Sequence, residues 1–147
     1  MGNKFKLAKK LILGAALVDA AITLSTLKKF NLYKVQYQKN LWMSQQKIDL
    51  SHAIAEDASY AVGLSDLLID LRYATFTEHY TTYLIRADYA HIKILLPDNV
   101  HLQFDGVVKC ARAIHDKGQQ MTAISKEKYL IIQYDLSYAS LEIIGGA

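Results

Sequence analysis

Between Tyr60 and Ile144, apolar and polar residues alternate with a period of two, and the alternation changes parity within each of several short stretches. Tyr60, Val62 and Leu64 fall on even positions, but Leu67, Ile69 and Leu71 on odd ones. Ile85, Ala87 and Tyr89 are odd, whereas Ile92, Ile94 and Leu96 are even. Ile132, Tyr134, Leu136 and Tyr138 are even, whereas Leu141 and Ile143 are odd. Side chains alternate across a strand, so one uninterrupted strand cannot hold both sets against one core. One extra residue must be absorbed between them, and a bulge or corner does that. The break follows a small residue each time: Ser65, Ala90, Ala139 and, in a degraded copy over Val107–His115, Ala111.

The pattern therefore predicts four strand–corner–strand units. Their equivalent residues Leu64, Tyr89, Cys110 and Tyr138 lie 25, 21 and 28 positions apart. Turn signals separate the units at Thr75–Thr82, Pro97-Asp98-Asn99 and His115–Gln120, and Val100, Leu102 and Phe104 supply a further strand. Such a unit cannot bury its apolar face alone, but stacked neighbours can. The expected fold is mainly β: a short, single-domain, β-solenoid-like stack of strand–corner–strand repeats over 58–147, preceded by an N-terminal helix. Ile94 and Ile143 are expected in its core.

The first thirty residues read differently. Leu11–Leu27 is an apolar run bracketed by Lys9-Lys10 and Lys28-Lys29, with Asp19 near its middle. Seventeen residues of helix span roughly 25 Å, and flanking lysines can extend that reach toward a bilayer core. Asp19 opposes insertion by about 2.5–3.5 kcal/mol. The reading adopted for residues 1–30 is a membrane anchor, which implies single-pass topology in the cell membrane, with membrane lipid as partner. A cap helix packed on the domain and a secretory signal peptide are the alternatives. Lysines flank the run on both sides, so orientation is not set. Residues 31–57, rich in Gln and Lys, are expected to form a helical or juxtamembrane linker, with helix continuing over Tyr33–Gln46.

Composition adds limits. Over 147 residues the chain is 52% apolar, with 10 tyrosines and one proline, which suits strands better than disorder. Residues 1–50 carry nine lysines against two aspartates, and residues 51–147 eight Lys/Arg against twelve Asp/Glu. The basic excess thus lies outside the repeats, which argues against nucleic acid on the β region. A single cysteine excludes an internal disulfide framework and any Cys-rich metal site. Cys110, equivalent to Leu64, Tyr89 and Tyr138, is expected to be a buried structural thiol.

Signatures of chemistry are sparse. His52, His79, His91, His101 and His115 form no His-x-x-x-His spacing, and His91 and His101 sit at polar strand positions. Asp66, Asp70, Asp88, Asp105 and Asp135 recur beside turns, where turn and edge roles account for them better than acid–base pairs. There is no Gly-x-Ser-x-Gly elbow, and Gly145-Gly146 forms no phosphate loop. No catalytic, cofactor-binding or metal-ligating residue is assigned, no cofactor is expected, and the protein is read as a non-enzyme. Function is expected to reside in protein contacts, with partners unidentified and self-association among the options.

Several segments resemble a known family. Leu67-Leu-Ile-Asp-Leu-Arg-Tyr-Ala-Thr-Phe76, His91-Ile-Lys-Ile-Leu-Leu-Pro-Asp-Asn-Val100, Phe104-Asp-Gly106 and Ala139-Ser-Leu-Glu-Ile143 resemble segments of the LiaF-like, or toast-rack, C-terminal domain of cell-wall-stress regulators. The resemblance spans roughly residues 58–146. Where that family has Gly-Gly at the corner, this chain has Ser-Asp, Ala-His, Ala-Arg and Ala-Ser. The resemblance implies a toast-rack fold in a membrane-associated protein that senses or relays envelope stress through protein contacts, without catalytic residues. The alternative is a soluble or surface structural, self-assembling β-solenoid with the helix as an end cap.

Overall fold

The computed structural model describes residues 20–116 and 128–146. Among these described residues, ten strands form two five-stranded parallel sheets. They are β1 (Lys39–Trp42), β2 (Gln45–Asp49), β3 (Ala58–Gly63), β4 (Asp66–Asp70), β5 (Tyr80–Asp88), β6 (His91–Leu95), β7 (His101–Lys109), β8 (Arg112–Asp116), β9 (Tyr129–Ser137) and β10 (Ser140–Ile144). Odd-numbered strands make the first sheet, in the order β1-β3-β5-β9-β7. Even-numbered strands make the second, in the matching order β2-β4-β6-β10-β8. Each strand of the first sheet thus passes through a two-residue corner into a strand of the second.

The corners explain the parity slips. Met43, Leu64, Tyr89, Cys110 and Tyr138 all have left-handed backbones, with φ between 46° and 52°. Each is the one extra residue, and each is followed by Ser or Ala. After Leu64 the next side chain, Ser65, points inward and is 1% exposed. Its hydroxyl donates to Gly63 O at 2.6 Å and accepts from Ser44 N–H at 3.1 Å, so the buried oxygen is satisfied. The backbone ladder runs through the corners: Leu64 N–H donates to Asp88 O, and Tyr89 N–H to Ser137 O, both at 3.0 Å. A bulky residue in the left-handed region carries strain of order 1–3 kcal/mol, held here by neighbours locked in the same turn.

Two expectations are corrected at this level. The corner residues face outward, so Cys110 is an exposed thiol rather than a buried structural one, and Tyr138 is 48% exposed. The segment 31–57, expected as a helical or juxtamembrane linker, contains a 3-10 turn (Lys34–Gln36) and then β1 and β2, a fifth unit with its own corner at Met43-Ser44. Its polar face, Gln45 and Lys47 included, had masked Leu41 and Ile48, which are 3% and 8% exposed.

The core lies between the two inner faces. Tyr60, Val62, Tyr83, Ile85, Leu130, Ile132 and Leu136 meet Leu67, Ile69, Ile92, Ile94, Leu141 and Ile143 in one cluster, all at most 2% exposed. Spatial order departs from chain order: β9 and β10 enter between β5/β6 and β7/β8. The reason is in the residues. β9 and β10 are uniformly apolar on the inner face and must be covered on both sides, while β7 and β8 carry Gly106 and His115 there and suit an edge.

Helix α1 (Ala20–Tyr33) lies on the outer face of the first sheet. Thr26, Phe30 and Tyr33, spaced four and three apart, form its buried face. Phe30 and Tyr33 pack on Ala61, and Trp42 meets Phe30 at 5.1 Å. Gly63 makes room: a Cβ there would lie 2.5 Å from the Trp42 ring. Tyr33 Oη donates to Asp88 Oδ2 at 2.6 Å, and Lys29 Nζ reaches Asp88 Oδ1 at 3.4 Å. The described helix therefore packs on a sheet face and not over an end of the stack, unlike the end cap considered from sequence.

The single-pass membrane location is also corrected. The described helix has 14 residues, about 21 Å of rise, and no described helix is long and apolar enough to cross a membrane. Its apolar positions Phe30 and Tyr33 are spent on the sheet. Residues 11–19 of the apolar run lie outside the described residues.

Candidate functional site

Parallel pairing in register turns each outer position of a strand into a row across the sheet. On the second sheet, the residue after each corner lines up as Gln45–Asp66–His91–Ser140–Arg112. Two residues on, the row is Lys47–Leu68–Lys93–Glu142–Ile114. The first row, the second row from Lys47 to Glu142 and the corner residues Tyr89, Cys110 and Tyr138 border a groove of about 1440 Å³. Its far rim carries Asp70 and Arg72.

Each part is held in place. Tyr89 and Tyr138, on neighbouring corners, stack with centroids 4.8 Å apart and planes 5° from parallel. That separation is the strand spacing itself, so the left-handed turns set the rings in register. A hydrogen bond of 2.6 Å joins His91 Nδ1 and the Ser140 hydroxyl. Asp66 precedes His91 in the row, and burial pushes its carboxyl up from the usual range, with His91 acting in the opposite direction. On the rim, Arg72 forks onto Asp70, Nε donating to Oδ1 at 3.0 Å and Nη2 to Oδ2 at 2.8 Å. This fork, with a backbone bond from Arg72 N–H, holds the Asp70 carboxyl below the usual carboxylate range.

The groove thus offers a polar row that runs amide, carboxylate, imidazole, hydroxyl and guanidinium, beside a stacked aromatic pair and a second row of mixed charge. It can present donors, acceptors and both signs of charge to a ligand laid across the strands. Among the described residues, no group of three or more His, Cys, Asp or Glu side chains could hold a metal ion.

The residues singled out from sequence fall in different places. His91 and Asp66 come together in the groove. Asp88 is 3% exposed beneath α1, and Asp135 pairs with Arg86 at 3.3 Å. His115 Nε2 donates to Gly145 O at 2.7 Å, and His101 stacks on Tyr129 at 5.0 Å. His79 contacts Tyr80 and Tyr129, and His52 occupies a left-handed turn position in a loop. Asp105 accepts from the Gly106 N–H. Gln45, Lys47, Ser140 and Arg112 were not singled out, although Gln45, Ser140 and Arg112 each directly follow the small residue of a corner, as Asp66 and His91 do. No protein-family model, no curated protein and no solved structure matches this chain.

Proposed function

We propose that this chain is a non-enzymatic binding protein, a solenoid-like stack whose second sheet receives a protein partner in the groove beside Tyr89 and Tyr138. The groove carries the reading: its rows combine fixed aromatic surface with alternating hydrogen-bonding and charged groups, the mixture that binding surfaces use. The likeness of residues 58–146 to LiaF-like domains points the same way, toward regulation through protein contacts, with envelope stress as the associated role.

Site-specific photocrosslinking in the cell of origin tests it. A crosslinker placed at Tyr138 or Lys93 should give a discrete protein adduct, whereas one at Leu84, on the outer face of the first sheet, should not. An adduct from Leu84 with none from either groove position would refute the assignment.

A further inference from the structure

The two ends of the stack are built differently. At one end β1 and β2 are four and five residues long, and Lys39, Asn40, Gln45, Gln46 and Lys47 are exposed. Short strands and lysines are how sheet edges are kept from pairing with other chains. At the other end β7 is nine residues long and exposed from Gln103 to Lys109. Phe104 is 36% exposed, Val107 66% and Val108 48%, and Ile114 on β8 is 43% exposed. Phe104 and Val108 are in register with Ile132 and Leu136 of β9, both 0% exposed. They are members of core rows that have no further strand beside them among the described residues.

Among the described residues, no strand pairs with the outer side of the β7 backbone either. His101 N–H donates to Lys128 O, and Lys109 O accepts from Tyr138 N–H, so odd-numbered positions turn toward β9 and its flanks. Both backbone groups of a residue in a parallel strand point the same way, so positions 102, 104, 106 and 108 point outward. One outward donor has a local partner: Gly106 N–H donates to the Asp105 carboxylate at 2.8 Å.

We infer that this end is a self-association surface, on which β7 pairs antiparallel with β7 of a second copy about a two-fold axis. The chain itself favours that occupant. Pairing centred on Gly106 sets Phe104 against Val108 of the second copy, twice, and places Asp105 diagonal to Lys109 of the second copy. Head-to-tail stacking would instead place β7 on the short, lysine-bearing β1, leaving most of its length unpaired. The two-fold arrangement closes on itself and buries both apolar ends together.

Sedimentation of the full chain over a wide range of concentrations tests this. The expected result is a species of twice the chain mass that dissociates on dilution. Val108→Pro removes an outward donor and leaves the β7–β9 ladder its bonds, so it should be monomeric with a retained cooperative melt. If Val108→Pro does not fold, Phe104→Lys serves the same purpose by placing a charge on the exposed end of the core. Lys39→Val, at the opposite end, should leave the dimer unchanged. A wild-type chain that is monomeric at every concentration overturns the inference. So does a dimer that survives the β7 variants, or a monomer whose 104 and 108 amides resist hydrogen exchange, which would mean the chain's own residues cover the edge.

Discussion

A left-handed backbone at Met43, Leu64, Tyr89, Cys110 and Tyr138 is the most consequential residue-level feature, because it is the extra residue that switches each unit from one sheet to the other. Glycine would adopt that conformation without the Cβ penalty. Met43 is 47% exposed and loses little packing, so Met43→Gly should stabilise the fold by about 0.5–1 kcal/mol, read as a rise in melting temperature. A loss of stability would show that the corner residue's side chain matters more than its backbone. Two aspartates should respond oppositely to pH. Asp66 has a raised carboxyl, so its contribution is fully present below the unfolded value of about 3.9 and is lost as pH rises through the folded one. Asp66→Asn should therefore stabilise the protein at about pH 7 and do little at about pH 3. Asp70 has a depressed carboxyl, so its contribution is present above about 3.9 and is lost as pH falls through the folded value. Asp70→Asn should destabilise by roughly 1 kcal/mol at about pH 7, the difference narrowing below about pH 4. Thermal melts of both variants across pH check the pair. The turn role of Asp70 was legible, and its carboxylate accepts from Arg72 N–H two residues on, but the side-chain fork from Arg72 was not. Asp66 beside His91 was not, because 25 residues separate them and only the register between β4 and β6 brings them together.

At the scale of elements, strands were easier to read than helix. β3–β6 and β9–β10 show their alternation openly, since one face is packed and the other meets solvent or α1. β1 and β2 were missed because a short edge strand needs few apolar residues, and Leu41 and Ile48 are nearly all it has. The helix was read through its apolar run toward a bilayer, yet what places its described part is the contact of Phe30 and Tyr33 with the sheet. Asp88 makes that contact specific: it is almost fully buried and takes the Tyr33 hydroxyl as its shortest partner. Burial and this hydrogen bond together push the Tyr33 hydroxyl above its usual range. Tyr33→Phe should cost about 1–3 kcal/mol in denaturant unfolding, because Asp88 keeps only the longer Lys29 contact. A change near zero would indicate that water replaces the phenol at no cost.

For the whole molecule, stability should grade across the stack. Among the described residues, the strands β5/β6 and β9/β10 have neighbours on both sides, whereas β7/β8 have one. Ile94→Ala, at a fully buried position of β6, should cost about 2–5 kcal/mol in equilibrium unfolding of the monomer, while Val108→Ala, in a core row but on the edge strand β7, should cost well under half of that. Equal losses in the monomer would mean that the chain's own residues cover the edge. The chain by itself determined the period-two rows, the one-residue slip that makes each corner, and the mainly β character, because these follow from side-chain geometry within a few neighbouring residues. It also marked the unit around Cys110 as the degraded copy. Tertiary structure alone decided that this unit stands at the edge, with the last unit inserted before it, since strand order depends on which apolar faces need covering on both sides. It decided, too, that the corner side chains point outward and that Gln45, Asp66, His91, Ser140 and Arg112 form one row. Residues so far apart in sequence become neighbours only through the pairing of parallel strands, which short-range pattern does not encode.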